Sequence, residues 1–404
     1  MAVAAPVART GQQTTPQTKR AAAAAPVVPF QIAALTRSRT AFDTGNLVPG
    51  QNVAAIEIPA AGGFLKFLEL QVTLTTAGNS ANVTFAADGP FNALSFIEFM
   101  PPSGDPPIVP HTGYQLMLWN KYGAFSQAPP YADPRRDPNF SVTTGTGATG
   151  GSAAFTLRLP FEIDPATGFC SITNSAANKS YLLNLIVNTT ANIYGTAPTN
   201  APTVRVIGEM YYWDEPQATT RQGTTQQPGP VGLGSFSQLR LDTPVVAAGD
   251  KTVKVNNAGP VLRALGVVLR TVAGARTNAD LPATWDFMFN TRDRFLIPDS
   301  LLQSDMAEAY GYQQGTGTNG FGTAPNFDAA NGLDTGVRFF PYFGNLAGGL
   351  VRPNGPRSQY QVTADATLTQ IRAISFGANA SVLEILSNLI RPTDAAALYN
   401  GRIS

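Results

Sequence analysis

Residues Asp88–Gly123 read DGPFNALSFIEFMPPSGDPPIVPHTGYQLMLWNKYG, and the fold is decided here. Asp88-Gly89-Pro90 makes a turn, because glycine tolerates positive φ and proline fixes its own. Phe91–Met100 follows as a strand with both faces buried, and Pro101–Pro107 ends it because proline cannot donate to a ladder. After a short apolar step, Thr112 is placed to cap a helix running to Tyr122, with Gly123 as its stop. Leu116, Trp119 and Tyr122 recur at three-residue spacing on the face that seeks the core. A second stretch, Trp285–Gly311, reads WDFMFNTRDRFLIPDSLLQSDMAEAYG and has the same order. Pro110 to Pro298 and Gly123 to Gly311 are each separated by 188 residues, and Phe96 to Phe287 by 191. Two copies of one unit, one in each half, predict a duplicated domain.

Strand signals surround both copies. In Phe64–Leu74, Leu68, Leu70, Val72 and Leu74 alternate with Glu69, Gln71 and Thr73, so one face is dry and the other wet. Val83–Phe85 reads as its short partner strand, and Phe155–Ile163, Tyr181–Val187 and Val204–Trp213 complete the first set. In the second half the strands are Lys251–Val255, Val261–Val272, Trp285–Asn290, Val337–Phe343, Tyr360–Leu368 and Ile371–Phe376. Asp299 or Ser300 is placed to cap the second helix, which ends near Tyr310. Val382–Ile390 is strand or helix, and apolar spacing does not choose between them. Long irregular loops follow each helix, over Gln127–Gly151 and Gly311–Gly332. The expected fold class is therefore all-β: two eight-stranded jelly rolls, each with an inserted helix and a long loop. The expected domains are a basic arm at 1–40, a first jelly roll at 41–217, a linker rich in Gln, Gly, Thr and Pro at 218–234, and a second jelly roll at 235–404.

A chain of 404 residues can build two sizeable cores. Only 13% of residues are charged, about half the usual share for globular domains. With 43% hydrophobic residues the chain is not of the disordered class. Low charge instead fits a surface largely covered by neighbours. The single cysteine, Cys170, excludes an internal disulfide and a multi-cysteine metal site, and reads as a buried, inert thiol. The N-terminal residues carry no continuous apolar core of signal-peptide type, and no stretch reaches the roughly 20 apolar residues that span a bilayer. The chain is accordingly expected to fold in a cytoplasm.

Charge is distributed unevenly. Residues 1–40 contain Arg9, Lys19, Arg20, Arg37 and Arg39 and no acid, a net of +5 against +1 for the whole chain. Such an arm is either a solvated tail or a segment ordered against an anionic surface or a neighbouring subunit. Its five charges make a modest electrostatic footprint, and the body carries no basic stripe interleaved with aromatics, so no sequence-specific nucleic-acid binding is expected.

Chemistry is weakly represented. The one histidine, His111, lies between Pro110 and Thr112 with none of the partners that catalysis or metal binding needs, and reads as structural. Gly145–Gly150 matches the string G-x-G-x-x-G but leads into a strand, whereas a dinucleotide site needs a helix N-terminus next. Asp133 and Asp137 around Arg135 and Arg136 read as solvated charge or a subunit contact, as does Asp293 between Arg292 and Arg294. No catalytic, cofactor-binding or metal residue is expected, and no cofactor.

Asp88-Gly89-Pro90 with Asn92 and Leu94, the strand to Phe99, then Gly113-Tyr114-x-Leu116 to Asn120 and Gly123-Ala124 resemble the turn, strand and helix of the first jelly roll in the double jelly-roll major capsid proteins of tectivirus-like phages. Gly63–Thr75 is similar to the preceding strand of that family, and the second half resembles it by pattern. The resemblance implies a structural protein and not an enzyme. It would form homotrimers whose six jelly rolls make a pseudo-hexagonal block, tiling an icosahedral shell around an internal membrane and double-stranded DNA. Its partners would be other copies of itself, vertex (penton) and minor capsid proteins, and the membrane through Arg9, Lys19, Arg20, Arg37 and Arg39. The alternative is a jelly-roll spike or carbohydrate-binding attachment protein, which the aromatic content and long loops also suit. A β-sandwich glycoside hydrolase needs two convergent carboxylates, and the sequence nominates no pair.

Overall fold

The computed structural model describes residues 27–77, 79–102, 108–123, 133–163, 168–174, 180–230, 234–245, 248–255, 261–289, 292–310, 333–341, 361–362, 369–376 and 381–392. The strands in chain order are β1 Thr36–Leu47, β2 Asn52–Ile58, β3 Phe64–Thr75, β4 Asn79–Phe85, β5 Leu94–Met100, β6 Val109–His111, β7 Ser141–Val142, β8 Gly145–Gly147, β9 Ala153–Pro160, β10 Ile172–Thr173, β11 Tyr181–Val187, β12 Tyr194–Thr196 and β13 Thr203–Trp213 in the first half. The second half has β14 Gly234–Val245, β15 Gly249–Val255, β16 Val261–Thr271, β17 Thr284–Phe289, β18 Arg292–Pro298, β19 Val337–Pro341, β20 Gln361–Val362, β21 Thr369–Phe376 and β22 Ser381–Pro392. The helices are α1 Phe30–Ala33, α2 Gly113–Gly123, α3 Thr190–Ile193 and α4 Asp299–Tyr310.

Two sheets in each half carry the architecture. In the first half they run β1-β13-β3-β9 (extended by β7) and β2-β11-β5-β6. In the second they run β14-β22-β16-β19 and β15-β21-β17-β18. Numbering the eight main strands of each half in chain order gives one sheet as 1-8-3-6 and the other as 2-7-4-5, in both halves. Every neighbouring pair is antiparallel. Two antiparallel sheets wrapped in this order around one core are a jelly roll, and the chain contains two. In both, a helix follows the fifth strand, so the repeat seen in the sequence is a repeat of fold.

Alternation places the core. Leu68, Leu70, Val72 and Leu74 of β3 point inward and are fully buried, with Gln71, Thr73 and Thr75 exposed between them. Leu183, Leu185 and Val187 of β11 and Ile97 and Phe99 of β5 meet them from the opposite sheet. Phe42 lies over Gly208 on the neighbouring strand, where a Cβ would fall 2.1 Å from the ring, so only glycine fits there.

Several expectations need revision. Phe91–Ala93 is a short 3₁₀ turn and the strand starts at Leu94; Ser95, Phe96, Glu98 and Met100 are only half-buried, so the strand is dry on one face. β4 does not join β3 but forms a separate three-stranded sheet with β12 and β8. Within Gln127–Gly151, residues 133–151 hold a 3₁₀ turn and two short strands, β7 pairing β9 and β8 pairing β4. Val382–Ile390 is strand: it lies inside β22, between β14 and β16. The alternation expected over Tyr360–Leu368 and the loop over Gly311–Gly332 fall outside the described residues, apart from Gln361 and Val362 in β20. The sequence pattern passed over β1 and β14, which Gly45 and Pro244 interrupt, and β2, NVAAIEI, which does not alternate.

Candidate functional site

Two surfaces among the described residues are informative: the one between the two jelly rolls and the outer face of a sheet. The first is internal, and α2 is its centre. Thr112 caps the helix: the Gln115 backbone N–H donates to Thr112 Oγ1 at 3.2 Å, and the Gln115 side chain returns an acceptor to the Thr112 N–H at 3.0 Å. This reciprocal pair is a capping box. Asn120 fastens the helix to β9, donating to the Arg158 carbonyl and accepting from the Arg158 N–H, both at 2.7 Å. Leu116, Trp119 and Tyr122 are fully buried, though Trp119 and Tyr122 are covered in part by the second jelly roll and not by their own core alone. Met117, Leu118 and Lys121 are fully buried too, on faces that a surface helix would leave wet.

The cover on those faces is the second jelly roll. The ring of Trp119 stands edge-on to Phe339 of β19 at 5.1 Å, and Tyr122 stacks on the same ring at 5.2 Å. Lys121 Nζ donates to Asp334 Oδ2 at 2.6 Å, and the Tyr122 hydroxyl donates to the same oxygen at 3.0 Å. Arg135 binds Asp133 and Asp334 together, at 2.8 and 3.0 Å. A second group lies beside it. Asp88, in the turn ahead of β5, takes Arg276 and Arg270, each at 2.7 Å. Arg270 also binds Glu384 at 2.7 Å, and Gln115 donates to Glu384 at 3.1 Å. Tyr114 packs under the Arg276 guanidinium, 4.7 Å from ring centre.

Burial sets the electrostatics. It works to raise the Asp334 carboxyl, but Arg135, Lys121 and Arg276 outweigh it and hold that carboxyl well below the usual range. Asp133 is lowered for the same reason, against its own burial, by Arg135 and Lys121. Burial, reinforced by Arg135, pulls the Lys121 ammonium below its ordinary value despite the two aspartates. A buried network of this kind is weak evidence for stability but fixes one geometry, because each misplaced charge would be left unpaired. The seam therefore locks the orientation of the two jelly rolls.

The residues singled out in the sequence fall into different settings. Asp133 and Arg135 are buried seam residues and not solvated charge; a carboxylate and a guanidinium two residues apart look the same in sequence either way. Asp137, half-buried, accepts from the Asn139 backbone N–H in a surface turn, and Arg136 is exposed. Arg292, Asp293 and Arg294 belong to β18 and not to a loop. Asp299 does not act as a simple cap: it accepts from Trp285, Gln303 and Arg338, tying α4 to β17 and β19. His111 is buried in β6 and accepts from Trp119 Nε1 at 2.9 Å, a structural contact. Gly145–Gly147 is strand β8, and the chain runs from there into β9, with no helix to meet a phosphate. Cys170 is fully buried. Arg9, Lys19 and Arg20 lie outside the described residues. Arg37 and Arg39 are exposed residues of β1, and Arg37 pairs with Asp214 at 2.7 Å. The sequence pattern did not single out Asp334, Glu384, Arg270 or Arg276. One signal pointed to the network: Lys121 is the sole charge in an otherwise apolar helix, and a cation there needs a buried partner.

The second surface is the outer face of the β1-β13-β3-β9 sheet. Phe67 stacks on Tyr211 at 4.4 Å, and Arg158 lies over Phe67 while pairing with Glu69 at 2.9 Å. These side chains are half-buried. On the corresponding sheet of the second jelly roll, Phe339, Leu386 and Asn388 are fully buried. Among the described residues no group of three His, Cys, Asp or Glu is placed to hold a metal ion, and no helix is long and apolar enough to cross a membrane.

Comparison with solved structures places this architecture. The STIV MCP crystal structure superposes with a TM-score of 0.58 at 13% identity, covering 92% of this chain and 99% of its own. The PBCV-1 virus capsid gives 0.57 at 12% identity, covering 90% and 97%, and the Faustovirus major capsid protein 0.54 at 9%, covering 89% and 90%. This chain has the double jelly-roll fold of viral major capsid proteins. No family model matches the sequence, and no curated protein does. At such identities the likeness is one of fold, extended over nearly the whole of both chains.

Proposed function

We propose that the protein is the major capsid protein of a tailless, tectivirus-like phage, a structural subunit that catalyses nothing. In this reading three copies form a pseudo-hexagonal block, and the blocks tile an icosahedral shell around an internal membrane and a double-stranded DNA genome. The observation that carries it is the double jelly roll itself: two sandwiches of identical strand order, locked at one angle by a buried seam, in a chain whose solved structural counterparts are capsid proteins. Two similar domains let a trimer present six near-equivalent sides, and such a tile packs without gaps. The low charge content, 13%, suits extensive side-to-side burial.

The remaining partners follow the same reading. Vertex and minor capsid proteins would complete the shell. The arm through Arg9, Lys19, Arg20, Arg37 and Arg39 would meet anionic headgroups or neighbouring subunits, each basic side chain near a membrane surface contributing about 1 kcal/mol. Arg37 and Arg39 would do so from β1, with the charge of Arg37 shared with Asp214. Assembly into the virion would follow folding in the host cytoplasm. Size-exclusion chromatography with light scattering tests the reading: the expected mass is three times 42.6 kDa, or larger shells. A stable monomer at micromolar concentration would overturn it, and negative-stain microscopy would show whether the particles are six-sided.

A further inference from the structure

We infer that the seam inside the chain is repeated between chains: α4 of one copy packs on the outer face of the β1-β13-β3-β9 sheet of a second copy. The inference rests on the reading of the protein as a self-assembling subunit, and adds which faces meet and through which residues.

Internal equivalence is the starting point. α2 and α4 follow the same strand of their respective jelly rolls, and they start at residues 113 and 299. Their inward faces correspond position by position. Leu116 and Leu302, the fourth residues, are both buried. Asn120 and Met306, the eighth, both touch the sixth strand of their own jelly roll: Asn120 holds the Arg158 backbone, and Met306 Sδ accepts from the Phe339 N–H. This contact makes Arg158 and Phe339 equivalent. The outward faces differ in residue type and in whether they are covered. Gln115 and Trp119, the third and seventh residues of α2, are sealed beneath the second jelly roll. Their counterparts Leu301 and Asp305 are exposed, Leu301 by 53%, with Leu296 on the adjoining β18 exposed by 57%.

The receiving sheets correspond as well. Arg158 opposes Glu69 on β3, and Phe339 opposes Gly266 on β16. Two residues further along those strands, Gln71 opposes Ile207 and Val268 opposes Glu384. Ile207 is therefore the counterpart of Glu384. Within the chain, Gln115 bonds to Glu384 and Trp119 meets Phe339. Transferred to two copies, the same geometry sets Leu301 against Ile207 and Asp305 against Arg158. Neither pair keeps the chemistry of the original, yet both are complementary: a polar pair becomes an apolar pair, and an aromatic pair becomes an opposite-charge pair. Arg158 already holds Glu69 on one edge, and a guanidinium can take carboxylates on more than one edge. The contact is head-to-tail, so it propagates in one direction and closes only as a ring.

Three cysteine variants test this: Leu301→Cys, Ile207→Cys, and the chain carrying both, each treated with a short bis-maleimide beside the unmodified protein, whose one cysteine is buried. The expected result is covalent dimers and closed trimers from the double variant only. Cross-linking of either single variant would mean a two-fold contact and would overturn the inference. So would a double variant that light scattering shows to be trimeric but that yields no covalent product; that result would leave the capsid reading standing. Absence of any oligomer would remove both. Independently, Asp305→Arg, which sets a cation against Arg158, is expected to raise the concentration for half-dissociation by at least about tenfold. Unaltered association of Asp305→Arg would also overturn the inference.

Discussion

Lys121 of the first jelly roll meets Asp334 of the second at 2.6 Å, with both side chains wholly removed from water. Deleting the acid leaves Lys121 and Arg135 as buried cations that share Asp133. Asp334→Ala is expected to cost about 3–5 kcal/mol. Lys121→Met removes a desolvated ammonium while Asp334 keeps Arg135 and Tyr122, so its cost should be near ~1.5 kcal/mol. Denaturant midpoints of the two variants check the order, which reverses if the ammonium and not the carboxylate organises the site.

Acid should open this seam before it melts the apolar cores. Asp334, Asp133 and Asp299 all titrate below the ordinary carboxylate range in the folded chain, because the cations around them outweigh their burial. A depressed carboxylate contributes stability that is complete above its unfolded value, about 3.9, and is lost as pH falls through the folded value. Melting temperature is thus expected to be flat from neutrality to about pH 4 on this account and to drop below it. Asp334→Asn, already lacking one of these groups, should show a shallower drop. Lys121 adds a dependence of the same sign at the alkaline end. Its folded value lies below its free one, so its own contribution improves as pH rises between the two.

Gly113 should resist replacement although it sits in a helix, where alanine normally stabilises by up to about 1 kcal/mol. A Cβ there would fall 2.2 Å from the Phe91 carbonyl oxygen, a backbone atom held by the turn that starts β5. Gly113→Ala is therefore expected to destabilise by about 2 kcal/mol or more, read as a lower melting temperature. A gain in stability would show that α2 can slide away from Phe91.

Asp88 and Arg276 should couple strongly. Asp88→Ala removes the carboxylate that two guanidiniums share, and Arg276→Ala removes one of them along with its bond to the Ala87 carbonyl. A double-mutant cycle is expected to give an interaction energy of about 1–3 kcal/mol. Additive losses would mean that the pair is not a unit.

Periodicity and punctuation made most of the framework legible. Strict alternation announced β3, and the Pro and Gly markers around β5, β6 and α2 recurred around β17, β18 and α4 closely enough to expose the duplication. The helices themselves start 186 residues apart, not 188, because α4 begins directly after Pro298 whereas His111 and Thr112 intervene after Pro110. β1 was hidden because its side chains are mostly wet, and β22 was ambiguous for the opposite reason. Residues Leu383–Leu389 are buried on both faces, one by their own core and the other by the seam, which erases the period of two. The seam was the least legible part. Asp334 and Lys121 are 213 residues apart, and no local pattern marks partners that only tertiary packing unites.

The position of β22 has a consequence for biosynthesis. The first sandwich is complete once Trp213 leaves the ribosome, since β13 is its last strand. At that moment Trp119, Lys121 and Tyr122 lie open, because Asp334, Phe339 and Glu384 are not yet translated. β22 arrives last, pairs with both β14 and β16, and delivers Glu384 to Gln115. A single late strand thus finishes the second sandwich and completes the cover over the first. A nascent chain halted before Asp334 would present a sticky helix beside an unfinished sheet, a natural substrate for chaperones and not a usable half-tile.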